Sequence, residues 1–399
     1  MSGVKANIRK NYLFVGLSSL NLTHGVWMIY LALKGFSLIE LGLLEGIYHI
    51  TSFLMEIPTG AIADLWGRKI SRVIGRGIAI ISYLIMFLSG SFAMQALGFM
   101  ITAISNNLES GAGDALVYDS LVEMDEISSY MSVAGKQELT YQSATIIAFL
   151  LAGFLAQYSY NLVFILSIVF AFFSIISALS LKETTVGKGP KRGVTFFSIL
   201  TEYKDHIIAS FASLKREKHI VYLMLISEVM FTIITTLFFY LQSYWSSEGH
   251  PESYITGIFA LNAIVAGLTA LFASKIEKKI GKRLTLIIVV LFPTIYVWLI
   301  AITPYSSLFY ILLGPIEGLL IASIGTYLNE LISSQQRATI LSMQSMLFSL
   351  IMVLIFPTVG YISSHFSISI AFIALSVFTS LFALCGIFYI IPLLCKNRD

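Results

Sequence analysis

Apolar runs of roughly 20 residues, the length a helix needs to cross a bilayer, recur along this chain and constrain its fold more than any other feature. Twelve are expected, near 12–33, 39–63, 72–91, 94–121, 136–159, 160–181, 219–246, 253–274, 283–303, 306–331, 338–363 and 367–393. The lipid must be the solvent for much of this surface, because 57% of the residues are hydrophobic and only 12% are charged. A β-barrel would show short alternating segments instead. The first run follows Lys5, Arg9 and Lys10 but is long and lacks a small-residue cleavage site, so it reads as a retained helix rather than a signal peptide.

Charge placement tests the topology independently. With the N-terminus inside, every Lys and Arg except Lys34 falls at or near the cytoplasmic face. The bases cluster at 5–10, 68–76, 136, 182–218, 275–283, 337 and 396–398, while loops assigned outside, such as Gly249-His250-Pro251-Glu252, are nearly free of them. This is a positive-inside pattern, and it puts both termini in the cytoplasm. The net charge of +3 then reports orientation, not affinity for nucleic acid. Cys385 and Cys395, ten residues apart on one helix, cannot bridge each other.

The longest polar stretch divides the chain into a six-helix half at 1–181, a linker at 182–218 and a second six-helix half at 219–399. Within the linker Phe196, Leu200, Tyr203, Ile207, Phe211 and Leu214 recur at helical spacing, which predicts an amphipathic helix in the membrane interface. The halves look related. Gly67-Arg68-Lys69 returns as Gly281-Lys282-Arg283, 214 positions later, and Leu116-Val-Tyr118-Asp119 resembles Thr326-Tyr-Leu328-Asn329 at an offset of 210. Duplicated halves place a substrate site at mid-membrane, exposed alternately to either side.

The loop between the second and third spans reads Gly60-Ala-Ile-Ala-Asp64-Leu-Trp-Gly67-Arg68-Lys69-Ile-Ser-Arg72. It resembles the signature of the major facilitator superfamily, and the twelve spans and long central loop extend that resemblance over the whole chain. Within the superfamily the bacterial drug-efflux type is the most similar. The resemblance implies an all-α integral membrane protein of two pseudo-symmetric six-helix halves, and gate roles for Gly60, Asp64, Gly67, Arg68, Lys69, Arg72, Asp119 and Arg337. Asp64 would face the helix beginning near Ser334-Gln-Gln-Arg337, and Arg68 or Arg72 would pair with Asp119. Two departures weaken the implication of antiport. Asn107 stands where drug exporters often carry an arginine, and the fifth span has no Gly-Pro pair.

Carboxylates inside the spans are the next signal. Glu45, Glu56, Glu109, Asp114, Glu228 and Glu317 fall within expected helices, where an acid costs about 2.5–3.5 kcal/mol. The sequence shows no base at a comparable depth, which suits these groups to proton uptake and release. Glu109 and Glu317 lie deepest, within a helical turn of equivalent places in the repeat, and Glu228 lies nearer the cytoplasm. Asp114 serves either coupling or packing on its glycine-rich face. Glu56 is expected to satisfy the backbone freed by Pro58. Asn21, His24 and Trp27 on the first span, Tyr141 on the fifth and Asn262 on the eighth complete the candidate substrate and proton site. His24 reads either as a titrating group or as a neutral hydrogen-bonded one.

No phosphate-binding loop, metal-spaced Cys pair or nucleophile elbow is present in the sequence, so the chain reads as no enzyme and needs no cofactor. Glu45 and His49 share a helical face, but two ligands do not make a metal site. A proton gradient is the expected energy source. The expectation is a proton-coupled exporter of a small amphipathic compound, cationic or neutral, in a bacterial plasma membrane. Its partners would be the solute, protons and lipid, and it would act as a monomer. Uptake of a metabolite and a non-transporting receptor or scaffold are the alternatives.

Overall fold

In the computed structural model, residues 2–184, 201, 218–332 and 337–395 are described. Apart from residue 201, the amphipathic stretch expected at 196–214 lies outside them, as does the Ser334-Gln-Gln segment. All regular structure among the described residues is helical. In chain order the helices are α1 (Ser2–Ser19), α2 (Trp27–Leu33), α3 (Leu38–Trp66), α4 (Arg68–Leu88), α5 (Phe92–Glu123), α6 (Tyr130–Ala156) and α7 (Tyr160–Ser180). They continue with α8 (Lys218–Ser247), α9 (Glu252–Ile280), α10 (Lys282–Ile302), α11 (Ser306–Leu331), α12 (Arg337–His365), α13 (Ile368–Cys385) and α14 (Ile391–Cys395). A π-helical turn at Gly386–Ile390 joins the last two.

Ten helices among the described residues are long and apolar enough to cross a membrane. The other two expected spans differ for visible reasons. α5 carries Asn106, Asn107, Glu109 and Ser110 in its middle. The first span, expected as one helix over 12–33, starts at Ser2 and is interrupted between Ser19 and Trp27. The interruption follows from Asn21, whose Oδ1 accepts hydrogen bonds from the Thr23 N–H at 3.2 Å and the Thr23 hydroxyl at 2.7 Å. That local loop competes with the helical ladder.

Helix starts are encoded locally. Ser37 and Glu40 form a capping box at α3: Glu40 Oε2 accepts from the Ser37 N–H at 2.8 Å, and Ser37 Oγ accepts from the Glu40 N–H at 3.4 Å. Ser91, Ser159 and Ser367 cap α5, α7 and α13 through their hydroxyls. Single glycines turn the chain between α3 and α4 and between α9 and α10. Gly67 sits at φ +98° and Gly281 at φ +83°, a region other residues rarely enter.

The chain forms two compact units. The N-terminal unit holds Met1–Trp27 and Ile47–His206; the C-terminal unit holds Met28–Gly46 and Ile207–Asp399. In the N-terminal unit, α4 and α5 pack through small residues. Ser71 Oγ donates to the Leu108 carbonyl at 2.6 Å, Ser105 Oγ to the Gly75 carbonyl at 2.8 Å and Ser82 Oγ to the Gly98 carbonyl at 2.8 Å. In the C-terminal unit the closest approach is α9 to α11, where a Cβ at Gly318 would overlap the Ala266 carbonyl oxygen and one at Gly314 would meet the Asn262 carbonyl oxygen at 2.6 Å. Both contacts follow the small-residue logic of helices in lipid. The first turns of α3 belong to this unit too: the Ile39 N–H donates to Ser364 Oγ at 2.8 Å.

Candidate functional site

The N-terminal unit gathers the signature residues into one charged cluster. Gly60 and Asp64 lie one turn apart on α3, and the Asp64 carboxylate pairs with Arg68 across the Gly67 turn. Arg68 Nε also lies 4.0 Å from Asp119 Oδ2 at the end of α5. Of the two partners proposed for Asp119, the structure chooses Arg68. Arg72 points elsewhere: it is 2% exposed, donates from Nη1 to Asn11 Oδ1 at 2.6 Å, and lies 3.9 Å over the Phe14 ring. Arg337 starts α12, but its side chain and the segment before it lie outside the described residues.

One member of this cluster is not part of the signature. Glu183, just past α7, accepts from the Arg68 N–H at 2.8 Å and the Lys69 N–H at 2.9 Å. It thus caps the start of α4, where the helix dipole favours a negative charge. Its carboxyl fills the space that a Cβ at Gly67 would take, so the glycine serves both the turn and the cap. Asn7 holds the neighbouring residue by both backbone groups, donating to the Lys182 carbonyl at 2.8 Å and accepting from its N–H at 2.9 Å.

A polar path runs on from Arg72. Asn11 Nδ2 donates to Gln137 Oε1 at 2.6 Å, and Gln137 Nε2 donates to Asp114 Oδ1 at 2.9 Å. Asp114 itself is exposed. Glu109 is the main correction to the sequence reading, which found no base at its depth. Arg76, 6% exposed, forms an ion pair with it. Arg76 counted as a loop base by position, yet it sits two turns inside α4, which carries it to the level of Glu109 on the antiparallel α5. Asn107, in the place of an expected arginine, bonds Ser52 twice, accepting from its hydroxyl at 2.8 Å and donating to its carbonyl at 2.7 Å.

The first-span candidates cluster around the interruption. Asn21 makes the loop described above. His24 is exposed and lies parallel to Phe149, with centroids 6.2 Å apart. Trp27 is buried edge-on to Phe99 at 5.0 Å. Tyr141 is exposed on α6. Next to Pro58 the hydroxyl of Thr59 donates to the Met55 carbonyl at 2.7 Å.

The acids of the C-terminal unit have a different setting. Glu228 on α8 is 5% exposed, and its Oε1 accepts from Ser227 Oγ and from Gln344 Nε2, each at 2.6 Å. Glu317, half-buried on α11, has no ion pair among the described residues. Asn262 spends an amide hydrogen between helices, donating to the Tyr310 carbonyl at 2.8 Å. Around it Trp245, Phe259 and Tyr310 pack ring against ring, and the Trp245 Nε1–H donates to Ser306 Oγ at 2.8 Å. These rings are core; all three are buried. No cluster of three or more metal-ligating side chains occurs among the described residues.

An all-helical bundle with a glycine turn ringed by paired charges and carboxylates inside its spans is a multi-pass membrane transporter in build. The chain belongs to the Major Facilitator Superfamily, whose family model matches residues 12–316. An uncharacterized MFS-type transporter of Bacillus subtilis, YxaM, is 24% identical over 368 residues, covering 88% of each chain. Among solved structures, the nucleoside transporter NupG superposes with a TM-score of 0.75 at 14% identity, covering 97% of this chain and 98% of that one. A D-xylose–proton symporter gives 0.74 at 13% identity, covering 100% and 99%. A bacterial homologue of the human lysosomal transporter Spinster gives 0.75 at 16% identity, covering 100% and 98%. Members of this family are secondary transporters, not enzymes.

Proposed function

We propose that this protein couples proton movement to the export of a small organic solute, neutral or cationic, across a bacterial plasma membrane. Both termini would be cytoplasmic, and the two six-helix halves would alternate access to a site lined by acids. The observation that supports coupling is the setting of Glu228. Its partners Ser227 and Gln344 are neutral, so a proton can come and go without stranding a buried cation. Glu317 shares that property, and Glu109 does not, because its protonation would leave Arg76 without a counter-ion. Proton exchange is therefore assigned to Glu228 and Glu317, with Glu109 held as a fixed charge.

The solute class follows from the same accounting. The buried bases Arg72 and Arg76 are engaged by Asn11 and Phe14 and by Glu109, which leaves the acids to meet the solute. Asp64, Arg68, Asp119 and Glu183 would form the cytoplasmic gate. The test is transport in proteoliposomes under an imposed pH gradient, with ethidium and tetraphenylphosphonium as probes. Gradient-driven movement that survives unchanged in Glu228→Gln and Glu317→Gln rejects the coupling. Net movement toward the cytoplasmic side in intact cells rejects export in favour of uptake.

A further inference from the structure

One face of α5 is polar and open along its middle. Asn106, Ser110 and Asp114 recur there every four residues, and all three are exposed. Residues four apart share a helix face. α5 runs from Phe92 to Glu123, and a hydrocarbon core of about 30 Å takes about 20 residues of a helix, so the stripe sits inside the span. Polar and ionisable side chains within a span turn away from lipid, toward protein or a water-filled cavity. An exposed stripe of them therefore marks a wet face of the N-terminal unit. Asp114 is its one charged member, and it has no ion pair among the described residues.

The Asp114 carboxylate is aimed by a relay of side chains. Arg72 can only donate hydrogen bonds, so its bond to Asn11 Oδ1 fixes the orientation of that amide. Asn11 Nδ2 is then the donor to Gln137 Oε1, and Gln137 Nε2 the donor to Asp114 Oδ1. Every link points the same way, from a buried cation to an open carboxylate, and the last atom of the relay must accept. Gly113 makes room for its start, because a Cβ there would lie 3.2 Å from Arg72 Nη2. The relay takes Oδ1 alone; Oδ2 accepts no hydrogen bond among the described residues. One carboxylate oxygen is anchored and the other stays open on the wet face, an arrangement suited to meeting a cation.

We propose that Asp114 selects cationic over neutral solutes on this face and that Gln137 is its positioning residue, held in turn by Asn11 and Arg72. The inference rests on the transporter reading and narrows its solute to cations. It depends neither on the direction of transport nor on which acid carries the proton.

The test uses the full chain, purified in detergent, with Cys385→Ser and Cys395→Ser and a reporter thiol at Ser110→Cys, one turn from Asp114. The ratio of its modification rates by a cationic and an anionic methanethiosulfonate reads the local potential without any solute. Asp114→Asn is expected to lower that ratio about fivefold, the scale of one unit charge a helical turn away in water. With Ser110 in place, equilibrium dialysis compares tetraphenylphosphonium with the neutral triphenylphosphine oxide. Asp114→Asn should weaken the cation about tenfold and the neutral probe by less than about twofold. Gln137→Met should keep the thiol ratio within about twofold, since the charge remains, and weaken the cation alone by about threefold, since its anchor is lost. An unchanged thiol ratio in Asp114→Asn, or equal weakening of both probes, overturns the selector. Equal weakening of both probes in Gln137→Met overturns the positioning role. Should Asp114→Asn not fold, Asp114→Ser replaces it with the same expectations. A parent that binds neither probe, with the thiol ratio still falling in Asp114→Asn, faults the proposed solute and supports Asp114 as the charge that sorts ions on this face.

Discussion

After the Gly67 turn, α4 buries Arg72 and Arg76; after the matching Gly281 turn, 214 positions on, α10 has Leu286 and Val290 in their places, both fully buried. The acids of the repeat follow suit. Glu109 is ion-paired with Arg76, whereas Glu317 has no ion pair among the described residues. The matching positions are therefore packed by charge in the N-terminal unit and by apolar side chains in the C-terminal unit. The charged version gives its carboxylate a counter-ion. Under the proposed function, that asymmetry gives Glu109 a static role and leaves coupling to Glu228 and Glu317.

The contrast between the halves breaks most severely at Arg76. Arg76→Leu gives α4 the C-terminal pattern but leaves the half-buried Glu109 without a counter-ion, which should destabilise the protein by about 3 kcal/mol in reversible detergent unfolding. Adding Glu109→Leu should restore most of that loss, since apolar replacement of a whole buried pair is often neutral. If the double variant is as unstable as the single one, the charge in the N-terminal pair is not what distinguishes it.

The apolar half is most sensitive at its closest helix crossing. Gly318→Leu would drive a side chain into the Ala266 backbone, at a cost of about 1–3 kcal/mol, read as a lowered Tm. A much smaller effect is expected at Gln344→Leu, which removes one hydrogen bond from Glu228 at about 0.6 kcal/mol, the average for such bonds in membranes. That variant should change the pH profile of transport more than the stability. A change in stability alone would mean that Gln344 is a structural partner and nothing more.

Much of this was legible in the sequence because it depends on periodicity and turn chemistry. The apolar runs, the repeat of Gly67-Arg68-Lys69 as Gly281-Lys282-Arg283 and the pairing of Asp119 with one of Arg68 and Arg72 all follow from local pattern or from the signature. The pairing of Arg76 with Glu109 did not, because linear position suggests loop membership while depth depends on how far α4 is inserted. The interruption at Asn21 was hidden for another reason: Ser18, Ser19, Asn21, Thr23 and His24 read as polar points along one span, and only the hydrogen bonds from Thr23 to Asn21 show that the helical ladder breaks there. A stripe was available, though. Asn7, Asn11 and Ser18 recur at helical spacing on α1, and each meets a partner on another helix of the unit. Glu183 gave no signal beyond being an acid at the start of a basic linker.

If the acids of the apolar half carry the proton, their loss must uncouple transport while the loss of Glu109 must not. The direct measurement is pH-gradient-driven ethidium flux in proteoliposomes for Glu317→Gln, Glu228→Gln and Glu109→Gln, set beside gradient-free exchange in the same vesicles. Glu317→Gln and Glu228→Gln should lose gradient-driven flux by about tenfold or more, the scale of a pH-unit driving force, while exchange persists. Glu109→Gln should retain its response to the gradient. Loss of coupling in Glu109→Gln, with both other variants still driven by the gradient, would place the proton in the charged half instead.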